Sequence, residues 1–368
     1  MSGRIDRQDA FSGTKEVPQA LAFDAGRLER YLEGRIEGFR GPLQVSQFKG
    51  GQSNPTYLLT TPERAYVLRR KPPGRLLPSA HAVDREFRVI SALHEAAFPV
   101  ARPWLLCDDE DVIGTMFYVM DRVEGRIFWE PAIPGVERAE RAAIYDAMNE
   151  TIARLHSFDP AALGLADFGK GEGYVARQIR RWSGQYEASR TEDIAAMDRL
   201  MEWLPGAAPQ TSRISLVHGD YRLDNLIVEA GAPRVKAVLD WELATLGDPL
   251  GDFTYHLMTW FMPVARDGGG TGSLKETDLP GLGIPSAEDY VARYCERTGT
   301  PGIADLDFYL AYNFFRLAAI LQGIVGRVRD GTATNQNAAA MASQVRPLAE
   351  TAWRFAGKAG AGSTGPKG

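Results

Sequence analysis

The chain has 368 residues, of which 44% are hydrophobic and 24% charged, a composition that excludes a disordered or fibrous protein. Its length favours two lobes with a cleft between them, and its net charge of −5 argues against nucleic acid or anionic membranes as partners, since both attract basic surfaces. No segment approaches the roughly 20 apolar residues of a membrane helix, and residues 1–19 are too polar for a secretory signal, so we expect a cytoplasmic protein.

The N-terminal third is predicted to be an antiparallel sheet with one crossing helix. Residues 1–23 mix glycine with charged residues without periodicity, which predicts a flexible arm. A first lobe is then predicted over 24–122, with glycine turns joining its strands and Pro72-Pro73-Gly74 ending the third of them. Its predicted elements are helices over 28–36 and 82–96, and strands over 43–49, 56–60, 65–70, 104–107 and 115–121.

Residues 123–356 are predicted to form a mostly helical second lobe, which makes the fold class α+β. A hairpin over 215–240 interrupts the helices: strands 215–217 and 226–228 are predicted to pair around a loop, and strand 235–239 follows. Glycine-rich residues 263–285 predict a mobile loop, and 357–368 a disordered tail. The predicted helices are 135–157, 174–190, 194–204, 253–261, 287–297, 306–329 and 338–355.

The hairpin contains the residues best suited to chemistry. Asp220 and Asn225 share one loop, and Asp240 follows a strand fifteen positions later. A hairpin would bring Asn225 beside Asp240, and their oxygens suit Mg²⁺ bound with ATP phosphates. Asp220 is then available to accept the proton of an attacking hydroxyl, the division of roles seen in kinases. Asp224 is better explained as a turn-capping residue.

Other metals have weaker support in the sequence. Cys107 and Cys295 form no C-x-x-C pair and the five histidines form no H-x-x-x-H pair, which argues against zinc and against a disulfide framework. A lone His-Gly-Asp tripeptide would arise by chance. The ordered set of Asp220, Asn225 and Asp240 is more specific, although a turn rich in Asp and Asn is the alternative.

These residues carry a resemblance to a known family. HGDYRLDN at 218–225 and LDWE at 239–242 resemble the catalytic and metal-binding motifs of the aminoglycoside phosphotransferase and choline kinase superfamily, and the resemblance extends over 43–355. It implies a bilobal protein-kinase-like fold, with Asp220 as catalytic base, Asn225 and Asp240 as metal ligands, and His218 bracing the loop. SNPTYLL, YVLRRKPPG and LLPSAHAVDREF resemble the phosphotransferase-like domains fused to some acyl-CoA dehydrogenases, and their free-standing bacterial relatives.

Such a fold implies a nucleotide site in the first lobe. The glycine-rich residues 50–54, which include Ser53 and Asn54, lie between two strands where backbone N–H groups can approach phosphates, although an ordinary hairpin turn has the same composition. Adenine is expected to bind backbone groups near Asp121 to Val123.

The cationic clamp of the nucleotide site departs from the usual pattern. Arg69 stands where V-A-I-K kinases have lysine, and Lys71 follows two residues later. Arginine can grip phosphates with two donors, so we predict Arg69 as the clamp, with Lys71 as the alternative. Glu86 is its expected ion-pair partner; the alternative is an exposed helix charge.

The acceptor is predicted to be a small molecule with a hydroxyl group. Only a short segment separates Asp240 from Asp252, leaving no room for the activation segment of a protein kinase. By resemblance Asp252 caps the next helix and ties the catalytic loop, and Asp248 acts similarly.

Charge on the predicted helices bears on the nature of the acceptor. The helices carry several arginines, which favour an anionic acceptor, unless they are solvated helix faces. Arg177, Arg181 and Trp182 are the candidate contacts. The subfamily resemblance implies a hydroxyacyl-CoA or hydroxy acid, and a functional association with an acyl-CoA dehydrogenase. The arginines are Arg177, Arg180, Arg181, Arg316, Arg327 and Arg329.

The predicted reaction is ATP- and Mg²⁺-dependent transfer of the γ-phosphoryl group to that acceptor. Three alternatives stay open. One is a nucleotide-binding regulator without catalysis, suggested by Arg69 but opposed by Asp220, Asn225 and Asp240. Another is a kinase of an aminoglycoside-like or choline-like cation. The third is an acyl-CoA dehydrogenase, which would need a flavin-binding fold that these motifs do not resemble.

Overall fold

The computed structural model describes residues 12–49, 54–73, 81–210, 213–264, 272–331 and 338–362. Contacts divide the chain into two compact units, each built from more than one segment. The first contains Met1–Trp129, Ala161–Leu165 and Asp224–Ala244, and the second contains Glu130–Pro160, Ala166–Leu223 and Thr245–Gly368.

The first unit is built on a six-stranded sheet in which every neighbouring pair is antiparallel, in the order β1-β2-β3-β4-β6-β5. Its strands are β1 (Thr14–Lys15), β2 (Gln44–Phe48), β3 (Thr56–Thr60), β4 (Ala65–Arg70), β5 (Pro103–Cys107) and β6 (Phe117–Asp121). Its helices are α1 (Ala25–Leu32), α2 (Val83–Glu95) and α3 (Glu110–Ile113). The predicted sheet with one crossing helix is confirmed, and β3 and β4 have the predicted bounds.

Three details of this unit differ from prediction. Within the supposed arm, Thr14 and Lys15 pair with Phe48 and Gln47, so the described part of residues 1–23 is not structureless. Helix α1 ends at Leu32 because Gly34 takes a left-handed φ of +77°, a conformation that stops a helix. Helix α3 was not predicted.

The core of the first unit lies between the sheet and α1. Alternate residues of β3 and β4, among them Tyr57, Leu59, Tyr66 and Leu68, join Leu28 of α1 in one buried cluster. Helix α2 packs against β5 and β6 and against the 3-10 turn at Trp241–Leu243. This packing fixes α2, which carries Glu86, relative to β4, which carries Arg69.

A short hairpin of β8 (Leu226–Val228) and β9 (Val235–Val238) belongs to the first unit rather than to the predicted helical lobe. The backbone explains this: the Val238 N–H donates to the Pro99 carbonyl at 2.8 Å, and Arg126 and Val228 exchange hydrogen bonds of 2.7 and 2.8 Å. The hairpin is thereby tied to segments that flank the sheet.

The predicted pairing of strand 215–217 with strand 226–228 is wrong. Strand β7 (Ser215–Val217) pairs with β10 (Thr245–Gly247) in the second unit, whereas β8 pairs with β9. After β7, the N–H groups of His218 and Gly219 donate to the side chain of Asp252. The chain is therefore held by a helix and does not turn back along β7.

The second unit is mostly helical, as predicted. Its helices are α4 (Arg138–Ser157), α5 (Tyr174–Ser189), α6 (Ala195–Ala207), α7 (Pro249–Leu257), α8 (Leu279–Leu282), α9 (Ala287–Thr298), α10 (Leu306–Arg329) and α11 (Ala338–Lys358). Helix α10 is central, packing against α5, α6, α7 and α11. It is long and apolar enough to cross a membrane, contrary to our expectation from the sequence, but 78% of that apolar window is buried inside the protein.

Helix α7 starts four residues before the predicted position and ends at Leu257, where a 3-10 turn continues to Trp260. Asp248 caps it by accepting a hydrogen bond from the Leu250 N–H at 2.9 Å, and proline is favoured just inside such a cap. The predicted mobile loop over 263–285 contains α8; its glycines 268–270 lie outside the described residues, as do residues 363–368 of the predicted tail.

Candidate active site

The two predicted metal ligands lie on neighbouring backbone segments of the first unit. Strand β9 leads into Asp240, and the Leu239 N–H donates to the Asn225 carbonyl at 2.8 Å. Asp240 takes a left-handed φ of +67°, unusual for a residue other than glycine and frequent at functional sites. The buried Trp241 anchors the turn through its ring contact with Phe98.

One guanidinium connects this turn to the sheet and to α2. The Nε atom of Arg69 lies 2.9 Å from Oε2 of Glu86, which is the ion pair predicted from sequence. Its Nη2 atom lies 2.8 Å from Oδ1 of Asp240 and 3.4 Å from Oε2 of Glu242. Arg69 therefore contacts a predicted metal ligand directly.

Burial and charge compete in this cluster. Burial alone would lower the pKa of Arg69, but Glu86, Asp240 and Glu242 together raise it above its ordinary value. Burial raises the pKa of Glu86, with Asp240 adding to the effect and Arg69 opposing it. Three carboxylates around one guanidinium leave two negative charges uncompensated when all are ionised, which favours binding of a divalent cation.

The donor set fits Mg²⁺. Asn225 and Asp240 offer amide and carboxylate oxygens, the hard ligands that this ion prefers. Within the part of the chain that the structure describes, no three His, Cys, Asp or Glu side chains are grouped to hold a metal. The remaining ligands would therefore have to come from water or from a bound phosphate.

The side chain of Asn54 is engaged with its own unit. It is fully buried, its Nδ2 donates to Glu86 Oε1 at 2.8 Å, and its Oδ1 lies 2.9 Å from Nδ1 of His81. Its side-chain amide thus supports the Arg69–Glu86 pair, and the approach of the loop backbone to phosphates stays a prediction. Ser53, the other predicted residue of this loop, lies outside the described residues.

The remaining nucleotide candidates lie apart from the Arg69 cluster. Lys71 is 3.9 Å from Asp84 and 29% exposed, so the predicted alternative clamp does not contact Glu86. The Asp121 carboxylate accepts from Nε1 of Trp104 at 2.7 Å, and the Asp121 backbone N–H donates to the Arg102 carbonyl at 2.8 Å. Among the described residues, Val123 forms no hydrogen bond, so its backbone groups remain available.

The catalytic loop lies in the second unit and is held through its backbone. The N–H groups of His218 and Gly219 donate to the two oxygens of Asp252 at 2.7 and 2.8 Å, and the Asp220 N–H donates to Nδ1 of buried His218 at 3.2 Å. Asp252 therefore ties the loop, as expected. The expectation that it also caps α7 is wrong, because Asp248 is the cap and Asp252 lies inside the helix.

The Asp252 carboxylate is buried, but it accepts hydrogen bonds from the His218 and Gly219 N–H groups and lies beside His156. Burial would raise its pKa, but the hydrogen bond and charge of His156, together with the donors at His218, hold the pKa below its ordinary value. His156 contributes through Nε2, 3.2 Å from Asp252. An ionised Asp252 can accept both loop N–H groups at once.

Asp220 itself is accessible, with 22% of its side chain exposed. Nε of Arg222 lies 3.4 Å from its carboxylate. Burial raises the pKa of the Tyr255 phenol, and the neighbouring Asp220 carboxylate raises it further. From α10, Arg316 donates to the Gly219 carbonyl at 2.7 Å. Tyr255 was missed by the sequence reasoning, and Arg316 was counted only among the helix arginines.

One signal in the sequence points to Arg316. It is the lone charge in YNFFRLAAIL, residues 312–321, and an arginine inside an apolar helix is costly unless it has a specific partner. Tyr255 has no comparable signal, since tyrosines are common in this core.

The predicted acceptor residues all lie on α5 in the same unit as Asp220. Arg177 donates to the carbonyls of Lys170 and Glu172, just before its own helix. The Arg181 guanidinium lies 4.9 Å from the Trp182 ring, and Trp182 is buried, donating to Gln178 at 2.9 Å. Arg181 therefore remains the most accessible of the three.

The class of protein follows from its solved neighbours. A structure from Ralstonia eutropha assigned as an aminoglycoside phosphotransferase is 49% identical, with a TM-score of 0.83 and coverage of 92% of this chain and 99% of that one. An aminoglycoside phosphotransferase in ternary complex with AMP-PNP and hygromycin B is 18% identical, with a TM-score of 0.57 over 92% of this chain and all of that one. The α+β protein-kinase-like fold is thereby confirmed.

The chain belongs to the phosphotransferase enzyme family, APH, whose model matches residues 44–309. Mouse acyl-CoA dehydrogenase family member 10 is 44% identical over 352 residues, which are 94% of this chain and 32% of the relative. Mouse acyl-CoA dehydrogenase family member 11 is 45% identical over 350 residues, 93% of this chain and 44% of the relative. The chain thus spans less than half the length of these relatives, and the resemblance stated from the motifs is confirmed.

Proposed function

We propose that this phosphotransferase moves the γ-phosphoryl group of ATP to a hydroxyl of a small anionic acceptor, a hydroxyacyl-CoA or a hydroxy acid. The observation that carries the proposal is the cluster in which Arg69 contacts Glu86 and Asp240 while Asn225 lies on the adjacent segment. AMP-PNP in the hygromycin-bound neighbour supports ATP as the donor.

Asp220 is the proposed general base. As the acceptor oxygen forms its bond to the γ-phosphorus, the bond to the β–γ bridging oxygen breaks, ADP leaves, and the hydroxyl proton passes to the Asp220 carboxylate. His218 and Asp252 hold the loop backbone so that this carboxylate is already oriented.

Arg69 is the proposed clamp for the phosphates. Its guanidinium is fixed by Glu86, and it presents further N–H donors that suit phosphate oxygens. Asn225 and Asp240 would hold Mg²⁺, which when bound neutralises negative charge on the phosphates. We keep the backbone near Asp121 and Val123 as the proposed adenine contact.

An anionic acceptor is supported by two observations. Arg181 and Arg180 are exposed on α5, in the same unit as Asp220, and exposed arginines favour a negatively charged ligand. Both curated relatives are named as acyl-CoA dehydrogenase family members, which supports a hydroxyacyl-CoA and a functional association with such an enzyme. A cytoplasmic location stays a prediction.

The test is a transfer assay with Mg-ATP over hydroxyacyl-CoAs, hydroxy acids, aminoglycosides, choline and homoserine, following ADP release and the phosphorylated product. We expect transfer to a hydroxyacyl-CoA or hydroxy acid, weakened by Arg181→Ala through a higher KM. Transfer confined to cationic acceptors would contradict the anionic assignment. ATP binding without transfer to any acceptor would favour a regulatory protein.

A further inference from the structure

The buried arginine on α10 is the strongest feature outside the predicted machinery. Arg316 is 5% exposed, in a helix whose residues from Phe308 to Ala319 are buried. Within the described residues, its only hydrogen bond is the one from Nη2 to the Gly219 carbonyl, 2.7 Å long, and no carboxylate oxygen lies within ion-pair distance. Its charge is therefore directed at the catalytic loop.

That hydrogen bond completes the restraint of a single peptide group. The Gly219 carbonyl and the Asp220 N–H belong to the same peptide plane; Arg316 holds the first at 2.7 Å and His218 the second at 3.2 Å. Gly219 takes a left-handed φ of +85°, a backbone conformation that residues other than glycine rarely adopt. This conformation sets the orientation of the peptide plane. With both polar atoms engaged, the backbone that carries Asp220 cannot rotate freely.

Arg316 also contacts two aromatic rings, one of which neighbours Asp220. The Arg316 guanidinium lies 4.8 Å from the centroid of the Tyr255 ring and 5.9 Å from that of Trp182, within the range of cation–π attraction. Burial raises the pKa of the Tyr255 phenol, and the neighbouring Asp220 carboxylate raises it further. Arg316 thus contacts both the peptide before Asp220 and a ring that neighbours its carboxylate.

Stability alone does not account for an arginine here. A buried guanidinium without a carboxylate partner costs free energy, and an apolar residue of similar size often replaces such a group without loss. The buried Arg141 on α4 provides a contrast, since it donates to three carbonyls, those of Ile133, Val136 and Leu282. Arg316 has one such bond, and that bond is to the residue before Asp220.

We propose that Arg316 is a positioning residue for Asp220, acting through the Gly219 carbonyl. The inference rests on the proposed function, in which Asp220 is the general base. Loss of Arg316 should leave ATP binding intact and reduce the chemical step, because a displacement of about 1 Å in a catalytic group can cost about 10²-fold in rate.

The experiment compares Arg316→Met, Arg316→Lys and the control Arg199→Met, in which an exposed arginine 4.7 Å from the Trp353 ring is removed from the same unit. Kinetics use Mg-ATP with the acceptor that reacts fastest in the screen above. Calorimetry gives the affinity and stoichiometry of ATP binding, and hydrogen exchange by mass spectrometry follows the peptide that covers 218–222.

For Arg316→Met we expect kcat to fall by about 10²-fold, with ATP affinity and stoichiometry within about twofold of wild type, and faster exchange over 218–222. Arg316→Lys, which keeps one donor and the charge, should recover part of the loss, and Arg199→Met should match wild type. If Arg316→Met does not fold, Arg316→Lys decides the question through the same readouts.

Two results would overturn the inference: unchanged kcat and exchange in both Arg316 variants, or a loss of kcat matched by an equal loss of ATP-binding sites, which would indicate unfolding alone. An inactive wild-type protein would instead contradict the proposed function. In that case the exchange measurement still tests whether Arg316 holds the loop.

Discussion

At the scale of the residue, the contacts of the Arg69 guanidinium explain why this chain has arginine at the position where V-A-I-K kinases have lysine. Its Nε and Nη2 atoms reach different carboxylates, Glu86 at 2.9 Å and Asp240 at 2.8 Å. The single nitrogen of a lysine has no comparable fork. Arginine at this position therefore links α2 to the turn after β9, in addition to any contact with phosphates.

The first prediction concerns this link. Arg69→Met should lower the free energy of unfolding by about 3 kcal/mol, because it leaves the buried Glu86 carboxylate without its cation. Lys71→Met is the matched control, since Lys71 is 29% exposed and 3.9 Å from its partner, and should change stability by less than about 1 kcal/mol. Urea denaturation of the two variants measures both. Equal losses would show that Arg69 is not the buried partner described here.

Residue roles were predictable where a short motif contains them. Asp220, Asn225 and Asp240 could be selected as candidates because their order and spacing are local in sequence, and their roles stay predictions. Glu86 could be predicted as the ion-pair partner of Arg69 because the kinase pattern assigns a partner to the clamp. The role of Asn54 was not predictable, because its two partners, Glu86 and His81, are known only once α2 is packed. The lone charge in residues 312–321 points to Arg316 itself, but its partner Gly219 lies 97 positions away and cannot be identified from a local motif.

At the scale of the element, the β8–β9 hairpin is the part of the first unit that carries both predicted metal ligands. Its attachment depends on close packing at Gly125, where a Cβ atom would lie 2.5 Å from the Val228 carbonyl oxygen and 2.5 Å from a methyl group of Ile227. No side chain fits there unless the bridge between Arg126 and Val228 moves.

The second prediction follows from that packing. Gly125→Ala should destabilise the protein by about 2 kcal/mol, the cost of forcing a methyl group into a packed site. Gly231→Ala, in the turn of the same hairpin, is the control, because its Cβ would meet nothing within 4 Å, and should stay within about 0.5 kcal/mol of wild type. Thermal unfolding distinguishes the two. A neutral Gly125→Ala would mean that the hairpin is not held by this contact.

Strands were predictable from the sequence where the residue pattern and the flanking turn residues indicate the same bounds. Strands β3 and β4 end at clear breaks, and their bounds were predicted correctly. Strand β10, of three residues, and its pairing with β7 were missed, since so short a segment has no periodicity and its partner lies 30 positions away. The same applies to β1, whose two residues pair across the chain with β2.

At the scale of the whole molecule, a buried histidine predicts how stability depends on pH. His256 is 3% exposed and contacts the Tyr290 hydroxyl at 2.8 Å. Burial lowers its pKa from 6.5 to about 4, although Asp252 partly opposes this. Because the unfolded chain binds the proton more tightly than the folded one, stability should fall as the pH drops from 6.5 to about 4.

The third prediction is therefore that His256 accounts for about 3 kcal/mol of lost stability at acid pH, the equivalent of its pKa difference. His256→Gln should flatten the pH dependence of the melting temperature between pH 6.5 and 4, and the exposed His94→Gln should keep the wild-type slope. An unchanged slope in His256→Gln would show that other groups cause the acid sensitivity.

The fold as a whole was predictable because the family motifs are contiguous and identify it, and the family match over residues 44–309 agrees. The division of the chain into two units could not be predicted in detail. Residues 224–244 group with the sheet because of backbone bonds to Pro99 and Arg126, and such long-range bonds do not appear in composition or periodicity.

The central claim is that Asp220 is the general base of a phosphoryl transfer. It is tested most directly by measuring turnover and ATP binding of Asp220→Asn beside the wild-type protein, with the acceptor found in the screen. We expect kcat to fall by about 10³-fold or more, within the range that a general base contributes, and the ATP dissociation constant to stay within about twofold of wild type. Turnover near the wild-type rate would contradict it.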